Sequence, residues 1–130
     1  MKSTATAMAL WLSLAGSTVR AQDAVVRSLL SKDLAGVPNR ELTLITVEYP
    51  PGGSSPVHTH HAQALVYVLE GSVVMQVRGG AAVTLTSGQS WYEGPNDVHV
   101  VSRNASNSAP AKYLVILAKD KGAPILTPVK

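Results

Sequence analysis

Past the first two dozen residues the chain reads as short apolar runs separated by turn residues, and no stretch keeps a helical period. Runs rich in Val, Ile, Leu, Thr and Tyr, bounded by Gly, Pro, Asn and Ser, are the pattern of β-strands. It predicts strands over residues 24–32, 41–49, 56–60, 64–70, 72–78, 81–86, 90–93, 98–103 and 111–118, hence an all-β sandwich or barrel. Gly79-Gly80 between two such runs fits a two-residue hairpin loop, and residues 87–88 and 94–97 mark further turns. The tail carries Pro124 and Pro128, which keeps it out of the middle of a sheet.

Two runs, ALVYVL from Ala64 and YLVIL from Tyr113, are apolar at nearly every position. A sheet with one wet face would alternate, so these runs predict cover on both faces. One side is the barrel interior, and the other is a second sheet or a second subunit. With apolar Ile125 and Leu126 in the tail, this predicts a homodimer.

The start of the chain has a different pattern. Lys2 precedes an apolar stretch over residues 7–15, and Val19 and Ala21 then occupy the small-residue positions of a cleavage site. This is the form of a secretory signal peptide, and its apolar core is shorter than the roughly 20 residues of a membrane-spanning helix. The reading is a leader over residues 1–21, cleaved after Ala21, and one domain over residues 22–130 in a periplasmic or secreted protein. Removing Lys2 and Arg20 lowers the formal charge from +3 to +1. No basic cluster with interleaved aromatics is then left, so neither nucleic acid nor a membrane surface is an expected partner. The chain has no cysteine. That excludes disulfides, thiolate zinc sites, iron–sulfur clusters and cysteine nucleophiles.

The candidate chemistry lies in histidines. Alternate strand residues share a face about 6.6 Å apart, so His58 and His60 can converge on one ion while His61 points away. His99 follows a turn and enters a strand-like run; a metal plus a hydrogen-bond acceptor would satisfy both its ring nitrogens. Each has a plainer alternative, a solvated loop residue for the pair and a core histidine bonded to carbonyls for His99.

At these residues the sequence resembles the cupin superfamily. The first family motif is Gly, five residues, His-x-His, three or four residues, Glu, six residues, Gly. Here Gly52, His58, His60 and Gly71 stand at those spacings, with Ala64 in place of the Glu. The second motif is Gly, five residues, Pro-x-Gly, two residues, His, three residues, Asn. Here Gly88 and His99 fit; Gly94 and Asn96 replace the Pro and Gly, and Asn104 comes one residue late. Asn96 is the best non-glycine substitute if that turn needs a positive φ.

The resemblance implies a double-stranded β-helix (jelly-roll) barrel, commonly dimeric, in which His58, His60 and His99 bind one divalent metal. With Ala64 at the carboxylate position, water, Gln63, His61 or substrate must fill the shell. Gln63 reaches it only through a register shift. Three neutral imidazoles leave the full charge on the ion and favour Fe, Zn, Ni or Cu over harder ions. Glu93, close in sequence to His99, is the candidate acid–base residue, with a charged rim residue as its alternative. Tyr67, Met75, Trp91 and Tyr92 are candidates for the pocket, the core or a subunit interface, and Glu70 for an exposed turn. The expected ligand is a small, partly apolar molecule. The expected activity is dioxygenase-like, with a non-catalytic metal or small-molecule binder as the competing reading; the fold alone does not choose.

Overall fold

The computed structural model describes residues 23–130; the predicted leader lies outside them. Ten strands form: β1 Val25–Asp33, β2 Arg40–Tyr49, β3 His58–Thr59, β4 Gln63–Glu70, β5 Ser72–Val77, β6 Val83–Thr86, β7 Ser90–Glu93, β8 His99–Asn104, β9 Ala111–Asp120 and β10 Thr127–Pro128. They build two five-stranded sheets, ordered β1-β2-β9-β4-β7 and β10-β3-β8-β5-β6. The two sheets wrap face to face as the double-stranded β-helix that the resemblance implies.

Alternation fixes which side chains meet between the sheets. Ile45, Val47 and Tyr49 on β2, Val66 and Val68 on β4, Val73 and Met75 on β5, and Tyr113, Val115 and Leu117 on β9 are all buried there. Met75 therefore belongs to the core. Tyr49 Oη sits 2.7 Å from both Ser55 Oγ and Ser102 Oγ and accepts from Tyr113 Oη at 3.1 Å, so the buried phenols are satisfied by one another and by serines.

Three expectations change. The continuous apolar run on β4 is covered on one side only: Ala64, Val66 and Val68 are buried, whereas Leu65, Tyr67 and Leu69 face outward and are exposed in the single chain. The Gly79-Gly80 loop is not a two-residue hairpin. Pairing of β5 with β6 ends at Met75↔Val83, and the chain between them turns with Gly80 N–H donating to the Val77 carbonyl at 3.0 Å. Asn96 is not at positive φ. Its turn is closed instead by the Asp97 carboxylate, whose Oδ2 accepts the Gly94 N–H at 2.7 Å.

The tail is an edge strand, as its prolines require: β10 pairs antiparallel with β3. Asn104 is buried at the end of β8. Its Nδ2 donates to the carbonyls of Pro50 and Ala109, and its Oδ1 accepts from Ser106 N–H. It ties the β8–β9 connector to the start of the β2–β3 connector.

Candidate metal centre

Four side chains converge where the two sheets open toward β10. His58 lies on β3 and His60 just beyond it; His99 begins β8 and pairs directly with His58. Glu93 ends β7, in the other sheet. The turn over residues 94–98 carries the chain from Glu93 to His99 and so brings the two sheets' contributions together. His58, Glu93 and His99 are buried, and the His60 side chain is 9% exposed. One ligand-capable atom from each lies within 4.8 Å of the others, so the group can hold a metal ion.

Glu93 occupies the place left by Ala64. The two residues are directly opposed across β7 and β4, and opposed residues share a face with Cβ atoms about 5 Å apart. The short Ala64 side chain leaves the inner face open, and the carboxylate reaches into it from the neighbouring strand. Glu93 is 1% exposed, so the rim alternative does not hold. Gln63 is exposed on the outer face of β4, one step from Ala64 and therefore on the wrong side. His61 is exposed at φ 48, its Nε2 3.0 Å from Thr59 Oγ1, and stays outside the group.

The hydrogen bonds orient the rings. His58 Nδ1 is 2.7 Å from the Pro56 carbonyl, and His60 Nδ1 is 2.5 Å from the Ile125 carbonyl. A carbonyl only accepts, so each imidazole carries its proton on Nδ1. Both Nε2 lone pairs then face each other at 3.1 Å. Two lone pairs at that distance repel unless a cation or a proton lies with them. Glu93 adds to the same pattern. Its Oε1 is 3.2 Å from His60 Nε2 and its Oε2 is 2.9 Å from His99 Nδ1. Neither contact has hydrogen-bond angles: both carboxylate oxygens and both His99 nitrogens are buried without a hydrogen-bond partner. Unpartnered buried groups of this kind require an explanation. A metal ion supplies one, since a carboxylate and neutral imidazoles are its common donors. The donor set fits.

Burial holds the His58 imidazole at about 4 against an ordinary 6.5, with the Pro56 carbonyl opposing and His60 and His99 reinforcing the shift. His58 thus stays a neutral donor down to acid pH. Between pH 6.5 and 4 the unfolded chain takes up a proton that the folded chain refuses. The His58 contribution to metal-free stability is therefore complete above about pH 6.5 and is lost as pH falls toward 4. The thermal midpoint of metal-free protein should fall across that window, and His58→Gln should flatten the slope.

Trp91 packs against the group from β7, its ring centroid 5.0 Å from that of His99. Tyr67 and Tyr92 are exposed on the outer face and line no part of it; Glu70 is exposed, as its turn position predicts. The remaining cavity walls are mostly apolar, among them Ile45, Val47, Val66, Val115, Ile125 and Leu126, and the free volume is about 20 Å³. That is enough for a water-sized ligand. Tyr113 also lines it, its phenol raised well above the usual range by burial.

A model of the cupin domain matches residues 45–117, more than half of the chain. No curated protein matches. Among solved structures, the chain is similar to a cupin-like protein from Thermotoga maritima (24% identity, TM-score 0.64, 82% of this chain and 75% of that one). It also resembles a DMSP lyase from Ruegeria pomeroyi (20% identity, TM-score 0.65, 82% of this chain and 51% of that one). A third is an oxalate oxidase in complex with glycolate (19% identity, TM-score 0.65, 93% of this chain and 62% of that one). The chain spans about half the length of the DMSP lyases it matches. At these identities the likeness concerns the fold.

Proposed function

The chain belongs to the cupin family, and on that premise we propose that it is an exported cupin that holds one divalent transition metal through His58, His60, Glu93 and His99 and acts on a small, partly apolar organic molecule. The observation that carries this is the pair of facing Nε2 atoms at 3.1 Å, each with its proton committed to a carbonyl on the far side. Glu93 is assigned as a ligand rather than as a proton shuttle, because both its oxygens are turned into the group. Its charge lowers the site's net charge to +1, so the preference for Fe, Zn, Ni or Cu now rests on the three imidazoles and no longer on a missing carboxylate. Export rests on the leader pattern of residues 1–21.

With Glu93 assigned to the ion, the cavity offers a satisfied phenol, a serine and apolar walls. When bound, the ion supplies Lewis acidity and, for a redox-active metal, dioxygen chemistry. The protein fixes the histidine tautomers through the Pro56 and Ile125 carbonyls, keeps bulk water out with Val66, Val115 and Ile125, and favours ligands with an apolar body. This supports a dioxygenase-like activity. The small free volume supports the second reading, a binder without turnover. Oxygen uptake by iron-loaded protein across diketones, thiols and phenols decides between them. Uptake with one class supports the enzyme. Silence together with a thermal shift worth about 2.7 kcal/mol at 100 times a ligand's Kd supports the binder.

Association belongs to the same proposal. Leu30, Leu44, Ile116, Leu65 and Tyr92 are successive cross-strand partners on the outer face of the first sheet, one apolar residue on each of its five strands. Leu30, Leu65 and Tyr92 are each more than half exposed. The strand ends carry ion pairs closed within the chain, Arg27–Glu48–Lys112 at one margin and Arg40–Asp120 at the other. An apolar centre with a rim of charges paired within the chain suits a second copy of the same face. Four strands about 26–33 Å long and the shorter β7, about 4.8 Å apart, offer roughly 650 Å², approaching the ~800 Å² per partner of a stable complex. Light scattering should give a dimer, and Leu65→Glu a folded monomer.

A further inference from the structure

Resting on the metal reading above, we propose that residues 123–130 form a strap that holds His60 ready for its ion and gates the cavity. Its root is fixed. Lys119, buried against Glu41, donates to the Ala123 carbonyl at 2.7 Å. Its far end is held lightly, by the two-residue ladder of β10 on β3 and by Val129 N–H to the Val57 carbonyl at 2.9 Å. Pro128 donates no hydrogen bond, and Thr127 and Pro128 are exposed. Between root and end, the strap does two things to the site. The Ile125 carbonyl accepts the Nδ1 proton of His60 and so leaves the Nε2 lone pair facing the group. Ile125 and Leu126 wall the cavity and leave it about 20 Å³.

The two roles have one structural consequence. A ligand larger than water must displace Ile125 and Leu126, and when the strap lifts, His60 loses the acceptor that fixes its tautomer. Opening therefore loosens one ligand of the ion, and closing restores it. A backbone acceptor behind a metal-binding histidine is worth about 10- to 100-fold in metal affinity. The strap thus couples access to metal retention, using a weak edge ladder that is easily undone.

The tether variant Val57→Cys/Val129→Cys, added to a chain without cysteines, joins the hydrogen-bonded residues that flank the β3–β10 pair. In the oxidised, cobalt-loaded protein, azide binding read by visible absorption and cobalt transfer to a chelator should both slow at least 10-fold relative to the reduced form. Leu126→Gly should speed azide entry while leaving cobalt affinity within about 2-fold. Deletion of residues 123–130 should lower cobalt affinity about 10- to 100-fold. Imidazole nitrogen NMR of metal-free protein reads the same device without any ion: His60 should be the Nδ1–H tautomer in the full chain and a mixture in the deletion. Equal azide and chelator rates in oxidised and reduced tether forms overturn the gate. An unchanged His60 tautomer after deletion overturns the positioning role. If the deletion does not fold, the tether and Leu126→Gly measurements decide the gate, and the tautomer in the full chain decides the positioning. Failure to bind any metal, with the tautomer result intact, would count against the metal reading and leave the strap's contact standing.

Discussion

Glu93→Ala should lower transition-metal affinity by at least about 100-fold, and adding Ala64→Glu to that variant should restore much of it. The first effect follows from removing the single anionic donor of the group. Losing a partner that merely orients a ligand costs 10- to 100-fold, and losing the donor itself costs more. The second effect tests geometry. Positions 64 and 93 are directly opposed on one face of adjacent strands, so a carboxylate from either reaches the same space. Glu93→Gln separates binding from folding. It keeps the shape but removes a charge buried without a hydrogen-bond partner, so the metal-free variant should melt no lower than the parent while losing metal. Isothermal titration with Zn²⁺ or Co²⁺, alongside thermal melts of the metal-free proteins, measures both.

Gly71→Ala should cost at least about 2 kcal/mol of stability and abolish accumulation of folded protein in a marginal background. Gly71 turns the chain from β4 into β5 at φ +71, a conformation that L side chains rarely adopt. A Cβ there would also stand 2.5 Å from the Pro110 carbonyl oxygen and 3.0 Å from Ala111 Cα, both backbone atoms that cannot rotate away. Backbone strain and steric conflict therefore add. Chemical denaturation of Gly71→Ala against Gly79→Ala, whose φ is also positive but whose surroundings are open, isolates the contact; the first should be the more destabilised.

Gly71 also illustrates what the sequence reveals. It is a motif glycine, and its spacing from His58 and His60 could be read directly because it sets how far β4 runs before the chain must turn. The strands were legible for the same local reason: apolar runs and turn residues are properties of neighbours in the chain. Three of the four residues of the candidate metal centre, His58, His60 and His99, were legible by spacing. The fourth, Glu93, was singled out only as an acid–base candidate. Glu93 could be singled out for its closeness to His99, but its role depends on β7 pairing with β4 at a particular register, which local pattern does not contain. The same limit applies to the outer face. ALVYVL reads as a doubly covered strand, yet Leu65 and Tyr67 are exposed in the single chain, because which face is covered depends on how the sheets pack, which the run's own pattern does not contain. The strap was visible only as a proline-bearing tail; that the Ile125 carbonyl meets His60 follows from the β10–β3 pairing, 65 residues away in sequence.

Glu93 faces Ala64 from the neighbouring strand, placed to supply the carboxylate that Ala64 lacks. X-ray absorption fine structure of the zinc-loaded protein tests it most directly. The first coordination shell should hold three imidazoles and at least one carboxylate oxygen, with the carboxylate contribution lost in Glu93→Gln. A shell of three imidazoles and water that is the same in the parent and in Glu93→Gln would contradict it.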